Sequence, residues 1–396
     1  MKHLFVTQDY PPDSGGMARR HVELVRRFST ATESMEVSTV ALENAASFDN
    51  GEPYRIHRQP FHFHQAKFLT SQIKWARWLT RHAPGNVDVM HCGNIRPAGY
   101  PVLWAKRRLR IPYLVYVNGG DLLRELQKTS SSRLKRAMSA RILGQASGIA
   151  ATSEWVADLA RQVMRQVGIT APPPVKALAL GTDPEMFSPS RDTRRLRARW
   201  GIRNDPMLLT VARLIPHKGQ DVVIRAVARL RDEFPNLRYL IVGEGVDETR
   251  LRAHVSELHL EGNVIFAGAI PDTDLPEAYA TATIYAGPSR IDNVINAEGF
   301  GISFLEASAS GLPVVAGDSG GVRSAVRDGE TGIVLPPLDV DAWAETIGDL
   351  LRRESRRSAL GSAGRRAVET FYNWDRVARD TRDFTAEVLT RAGSES

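Results

Sequence analysis

The sequence predicts an α/β protein made of two doubly wound parallel sheets. Two observations carry this expectation. Short apolar runs rich in β-branched residues alternate with segments of helical periodicity along the chain, the pattern of a parallel sheet covered by helices. The alternation breaks once, at APPPVKALALGTDPEMFSPSRD with its three prolines Pro172, Pro173 and Pro174, and then restarts. At 396 residues the chain suits two domains, each with ample core.

In the first half, KHLFVTQ, MEVSTVAL, VDVMHCG, PYLVYVNGG, SGIAATS and VKALALG read as strands. HVELVRRFS, SQIKWARWLTRH, the segment around LKRAMSARIL, and EWVADLARQVMRQV read as the helices between them. In the second half, strands MLLTVARL, RYLIVGEG, NVIFAGA, TIYAGPS and PVVAGD alternate with helices VVIRAVARLRDEF, RLRAHVSELHL, DLPEAYATA and FLEASAS. FYNWDRVARDTRDFTAEVL reads as a last helix after a break at Tyr372–Trp374. In open parallel sheets ligands sit at the carboxyl ends of strands, at the switch point. Motifs at strand ends are therefore the place to look for chemistry.

Composition is ordinary globular, 42% hydrophobic and 24% charged. No apolar run approaches the ~18 residues that span a bilayer, and the apolar start of MKHLFVTQDYPP is too short for a signal peptide. Cys92 is the single cysteine, so no intrachain disulfide forms. A cytoplasmic protein is expected. The net charge of +7 is uneven: residues 1–180 carry +12 and residues 181–396 carry −5. A basic front half suggests phosphate-rich or membrane-surface partners, with solvated scattered arginines the equal alternative.

The stretch AEGFGISFLEASASGLPVVAG, Ala297–Gly317, holds two glutamates eight residues apart. Glu298 follows the turn-rich GPSRIDNVINA and falls in a loop. Gly299 and Gly301 let backbone approach a ligand closely. A helix beginning at Ile302 or Ser303 offers free N–H groups and its dipole to a diphosphate. Glu306, a turn further on, has two oxygens for vicinal hydroxyls. Hydroxyls, diphosphate and hydroxyls again describe a nucleotide sugar. In TVARLIPHKGQD, Arg213 and Lys218 follow a strand, a fork and a point charge suited to phosphate. Gly243 in IVGEG, and Gly15 and Gly16 in DYPPDSGGMARR, also sit between a strand and a helix.

Taken in order, SGG, NGGD, ARLIPHKG, VGEG and EGFGISFLEASASGLPVVAG resemble glycosyltransferase family 4, and the likeness covers essentially the whole chain. The resemblance implies the GT-B fold, two Rossmann-like domains facing across a cleft. It implies an acceptor-binding domain over 1–185, rejoined by a last helix over 377–396, and a donor-binding domain over 186–376. It places Arg213 and Lys218 on the donor diphosphate, Glu298 on the sugar hydroxyls and Glu306 on the ribose. Gly16 lies beside the phosphate, and Gly15, Gly243, Gly299, Phe300, Gly301 and Ile302 complete the expected donor contacts. Transfer in this family keeps the anomeric configuration and usually needs no bound metal or other cofactor.

Where many relatives carry histidine before the glycines, this chain has Asn118 in VNGGD. Asparagine does not titrate near neutral pH, so it is no general base. Its amide still donates to a sugar hydroxyl, and the leaving phosphate can itself take the acceptor's proton. Asp121 and His91 are the remaining candidates for acceptor or sugar contact, with a place at the core edge the equal alternative for His91. The expected function is retaining transfer of a hexose from a UDP- or GDP-linked donor to an acceptor hydroxyl. The basic front half tilts the acceptor toward phosphate-bearing or lipid-linked molecules of polysaccharide or glycolipid synthesis, with peripheral membrane contact; no nucleic-acid partner is expected. The alternatives are an epimerase of the same fold and, because of Asn118, a nucleotide-sugar-binding protein without turnover. His57, His62 and His64 suggest a metal site, but no Cys, Asp or Glu stands near them in sequence, so no metal is expected. Trp75 and Trp78 read as the core face of their helix.

Overall fold

The computed structural model describes residues 1–13, 15–63, 65–292 and 296–394. His64 therefore lies outside the described residues. The chain divides into two compact units, Met1–Ala179 with Trp374–Ser396, and Leu180–Asn373.

The first unit holds seven parallel strands: β1 (Lys2–Val6), β2 (Ser34–Val40), β3 (Ile56–Gln59), β4 (Val89–Cys92), β5 (Tyr113–Val117), β6 (Gly148–Ala151) and β7 (Val175–Ala177). Their order is β3-β2-β1-β4-β5-β6-β7, so the strand order reverses between β1 and β4. The interior strand β5, YLVYV, is buried at every position, which is why it reads as an unbroken apolar run rather than an alternating one. The second unit holds six parallel strands: β8 (Met207–Val211), β9 (Arg238–Val242), β10 (Val264–Gly268), β11 (Ile284–Gly287), β12 (Val314–Gly317) and β13 (Gly332–Leu335). Their order, β10-β9-β8-β11-β12-β13, is the doubly wound arrangement with its switch point between β8 and β11. Helices Gln220–Leu230 and Val340–Arg352 pack a core of Val222, Val223, Val227, Trp343 and Ile347 against this sheet.

The divide between units falls earlier in the chain than expected at both crossings, and the reason is hydrogen bonding. Thr182 N–H donates to the Tyr372 carbonyl at 2.9 Å. Arg365 Nη1 donates to the carbonyls of Pro184, Phe187 and Ala309. These bonds tie residues 182–187 to the second unit. The last helix, Trp374–Ser394, belongs to the first. It packs so closely on β6 that a Cβ on Gly148 would lie 2.9 Å from Val388 and 3.0 Å from Phe384. Arg382 from the same helix donates to the carbonyls of Arg27 and Phe28.

Several elements exceed the sequence reading. Strand β3 is only IHRQ, half-buried at the sheet edge and polar at three of four positions. Helices Gly99–Leu109 and Gly120–Ser131 begin on glycines, which masks their periodicity. Strand β13 and the helices Val340–Arg352 and Glu354–Thr370 were also not anticipated.

Candidate active site

In the second unit the expected donor residues converge at the carboxyl ends of β8 and β11. After β8 the chain makes a short 3-10 turn, Pro216–Lys218, before the helix Gln220–Leu230. After β11 it runs through a loop to Glu298 and into the helix Ile302–Ala309. Lys218 Nζ donates to Glu298 Oε2 at 2.6 Å. Glu298 is held from behind as well, since its carbonyl accepts from Gly321 N–H at 2.8 Å. Burial pushes the Glu298 carboxyl up, but the Lys218 charge and hydrogen bond pull it further down, and the net result lies below the usual range. The pair is thus ionised, a cation and an anion side by side at the switch point.

Arg213 is exposed at the end of β8. Its carbonyl accepts from Gln220 Nε2 at 3.1 Å, and among the described residues no hydrogen bond engages its guanidinium. Helix Ile302–Ala309 is N-capped by Gly301 at φ +93, with no side chain bonding its first N–H groups. Phe304 N–H is spent on the Gly301 carbonyl at 3.1 Å, which leaves, among the described residues, the Ile302 and Ser303 N–H groups for an anion. Glu306, within this helix, is 5% exposed. Its Oε2 accepts from Tyr279 Oη at 2.7 Å, which fixes the carboxylate's direction. Gly299 and Ile302 are half-buried, and Phe300 is buried.

The glycines at these strand ends have a reason the sequence did not show. A Cβ on Gly219 would overlap the Pro288 carbonyl oxygen, one on Gly243 that of Ala212, and one on Gly245 that of Leu214. The loops after β8, β9 and β11 thus lie backbone against backbone. Gly243 thus has a packing reason besides the expected ligand approach: its missing side chain makes room for Ala212. Gly15 differs. It has φ +127 and, among the described residues, nothing within 4 Å of a would-be Cβ; it stands directly before helix Gly16–Phe28, whose first residue is the expected Gly16.

In the first unit, Asn118 follows β5 and its side chain meets a residue the sequence reading missed. Arg20, 2% exposed on helix Gly16–Phe28, donates from Nη1 to Asn118 Oδ1 at 2.6 Å. Its guanidinium lies 5.2 Å from the centre of the Tyr116 ring. Burial lowers the Arg20 pKa to about 10, so it remains a cation. The signal was available: in GGMARR the second arginine stands four residues after Gly16, one helical turn into the helix.

Asp121 turns inward. Its Oδ1 accepts from the backbone N–H of Asn118 and of Leu122, both at 2.9 Å, so it caps the start of helix Gly120–Ser131. Burial pushes it up to about 7. Of the two readings open for His91, substrate contact and a place at the core edge, its surroundings favour the second. His91 is fully buried, with Nε2 2.9 Å from His3 Nδ1 and Nδ1 2.8 Å from Tyr116 Oη. Desolvation holds its pKa well below the ordinary value. It is a neutral core histidine with both ring nitrogens engaged.

Comparison with known proteins places this geometry. The model for Glycosyl transferases group 1 matches residues 192–367, and that for Glycosyltransferase Family 4 matches residues 14–172. A GDP-mannose-dependent alpha-(1-6)-phosphatidylinositol monomannoside mannosyltransferase of Mycolicibacterium smegmatis is 30% identical over 379 residues, 94% of each chain. The chain belongs to glycosyltransferase family 4. The family 4 chain is also 29% identical over 395 residues to a D-inositol 3-phosphate glycosyltransferase of Frankia alni, 93% of each. Among solved structures, Anabaena HepE in complex with UDP and glucose superposes with a TM-score of 0.78 at 21% identity, covering 98% of this chain and 99% of that one. Sucrose-phosphate synthase from Thermosynechococcus elongatus gives 0.77 at 20% identity, with the same coverage. The two parallel-sheet units are those of the GT-B fold. The activity class is that of a nucleotide-sugar-dependent hexosyltransferase.

Proposed function

We propose that this family 4 enzyme transfers mannose from GDP-mannose, with retention, to a hydroxyl of a phosphorylated inositol acceptor. The observation that carries the site is the Lys218–Glu298 pair beside the uncapped start of helix Ile302–Ala309. The donor diphosphate lies against those N–H groups, with Arg213 and Lys218 supplying two positive charges at the leaving group. Lys218 shares its ammonium between diphosphate and Glu298, which orients the Glu298 carboxylate toward the sugar hydroxyls. Glu306, aimed by Tyr279, receives the ribose. With those cations in place the reaction needs no metal at the diphosphate.

The proton's route supports retention. Asn118 takes no proton, and Asp121 spends one oxygen on two backbone N–H groups. The anomeric carbon–phosphate oxygen bond breaks, the acceptor oxygen bonds to the same face, and the acceptor's proton passes to the departing diphosphate. Arg20 holds the Asn118 oxygen, so the amide N–H groups are the part of Asn118 that suits a sugar hydroxyl.

The choice of GDP-mannose rests on the mycobacterial relatives, named as GDP-mannose-dependent and matched over 94–96% of this chain. The acceptor class rests on those names and on the D-inositol 3-phosphate glycosyltransferases, together with the +12 charge of residues 1–180. No described helix is long and apolar enough to cross a membrane. Exposed Trp104 and Leu134, on helices with Arg107, Arg108, Lys135 and Arg136, suit peripheral contact with anionic lipid.

The test is a donor panel of GDP-mannose, UDP-glucose and UDP-N-acetylglucosamine, with phosphatidylinositol vesicles or soluble inositol phosphate as acceptor. Anomeric configuration is read by NMR. Acceptor-dependent release of GDP with an α-linked product is expected. Turnover with a UDP donor alone overturns the donor, and an inverted product overturns the mechanism. Epimerised sugar without acceptor, or binding without turnover, overturns the reading as a transferase.

A further inference from the structure

The amino-terminal edge of the first sheet, opposite the strand ends that carry Asn118, gathers a second set of chemical groups. Sequence proximity offered the histidines of YRIHRQPFHFHQ no carboxylate; strand pairing supplies one. In the parallel β2–β3 register Ser38 pairs with His57. Side chains alternate along a strand, so Glu36, two residues before Ser38, shares the face of His57. Helix Gln65–His82 covers this face, with Trp75 Nε1 donating to Ser38 Oγ at 2.9 Å. Trp75, Trp78 and His82 are spaced i, i+3 and i+7, one side of a helix. The helix therefore brings His82, its last residue, above Glu36.

The result is compact. His57 Nε2 lies 2.9 Å and His82 Nε2 lies 3.1 Å from the same oxygen, Glu36 Oε2. The three ligand atoms all lie within 4.8 Å of one another. The Trp78 ring stacks on His82 at 4.5 Å and 13° and meets the His57 ring at 4.9 Å, which fixes both imidazoles. The three side chains are 19–29% exposed, leaving an approach for an ion and a water. Arg55, the one cation paired with Glu36 among the described residues besides the histidines, reaches only the other oxygen, Oε1, at 3.9 Å and is 80% exposed, where solvent screens it.

We infer that Glu36, His57 and His82 form a binding site for a divalent late transition-metal ion, of which Zn²⁺ is the type. Two imidazole nitrogens and a carboxylate are a known zinc donor set, with bonds of ~2.0–2.2 Å and a fourth position for water. Ligand atoms around such an ion stand roughly 3.3 Å apart, so the two spacings to Oε2 need to open by only a few tenths of an ångström. The ion would clamp β2, β3 and the end of the helix together. The site lies at the opposite strand ends from Asn118, so its role is structural, and binding can be read independently of transfer.

The experiment uses the full chain, untagged and stripped with chelator, at pH 7.5, where imidazoles are neutral enough to ligate. Zn²⁺ is titrated calorimetrically, its effect on Tm is recorded, and Co²⁺ is added as a spectroscopic probe. Wild type should bind one Zn²⁺ per chain, gain Tm, and give Co²⁺ an intense visible ligand-field band. Glu36→Gln, His57→Gln and His82→Gln should each weaken binding tenfold or more, while His62→Gln, at an exposed neighbour, should not. Absence of binding to wild type overturns the site whatever the folding of the variants. So do equal affinities in wild type and all three variants, a loss in His62→Gln, or Co²⁺ that stays octahedral.

Discussion

Asn118 stands beside a buried cation, and that neighbour decides what the position can do. Arg20 donates to Asn118 Oδ1. An imidazole placed here would have to accept the same bond, so it would be neutral, and the adjacent positive charge would hold its pKa below the ordinary ~6.5. Asn118→His should therefore change kcat only modestly and add no steep limb to the pH–rate profile near that value; such a limb would show that a titrating group is needed. Asn118→Ala loses one hydrogen bond, about 0.5–1.5 kcal/mol, or up to roughly tenfold in rate. Asp121 gives a second residue-scale expectation. Burial raises it to about 7, so its ionisation opposes folding. That cost is absent below the unfolded-chain value of ~3.9, grows as pH rises, and is complete above about 7. Asp121→Asn keeps an oxygen for the two N–H groups and removes the charge. Its Tm should exceed that of wild type at pH 8, with the gap closing toward pH 4. A gap that is constant across that range would contradict the assignment.

At the scale of elements, the turn after β8 and the start of helix Ile302–Ala309 act together through Lys218 and Glu298. Removing a charge-assisted contact to the leaving group should cost on the order of 2–4 kcal/mol. Lys218→Ala and Arg213→Ala should each lower kcat/KM by roughly 30- to 1000-fold, and wild-type kinetics in both would remove the donor assignment. These residues were legible in the sequence because Arg213 and Lys218 closely follow an unmistakable strand, and Lys218 and Glu298 each precede a glycine. Strand β3 was not, since IHRQ lacks the apolar alternation that announces a strand. Helix Gly99–Leu109 hid behind Gly99 and Pro101, poor helix formers tolerated in a first turn. The contact of Arg20 with Asn118, though Arg20 itself stood in plain view in GGMARR, and the place of Glu36 between two histidines were hidden for another reason. Their partners lie 98 residues away in the first case and 21 and 46 away in the second, and only strand order and helix crossing bring them together. The strand-end glycines were seen but half understood, because carbonyl groups of neighbouring loops, rather than a ligand alone, exclude their side chains.

For the whole molecule, the last helix closes the first unit. It lies on Gly148 with no room for a side chain, Val388 and Phe384 being about 3 Å from a would-be Cβ. Gly148→Val should force helix Trp374–Ser394 off β6, at the ~1–3 kcal/mol typical of overpacking. Tm should fall by several degrees, and protease should cut within residues 374–394 first. An unchanged digestion pattern would show that the sheet yields instead. The seat of this helix also bears on how the protein is born. The first unit is discontinuous in sequence: its closing helix is encoded after all of Leu180–Asn373. A ribosome adding roughly 5–20 residues per second takes on the order of ten seconds or more to make that intervening stretch. Throughout that time the nascent first sheet waits with the bare strip at Gly148, and the backbone carbonyls of Arg27 and Phe28 that Arg382 later occupies, open to whatever else is in reach. The second unit, continuous in sequence, can finish folding before the one that precedes it.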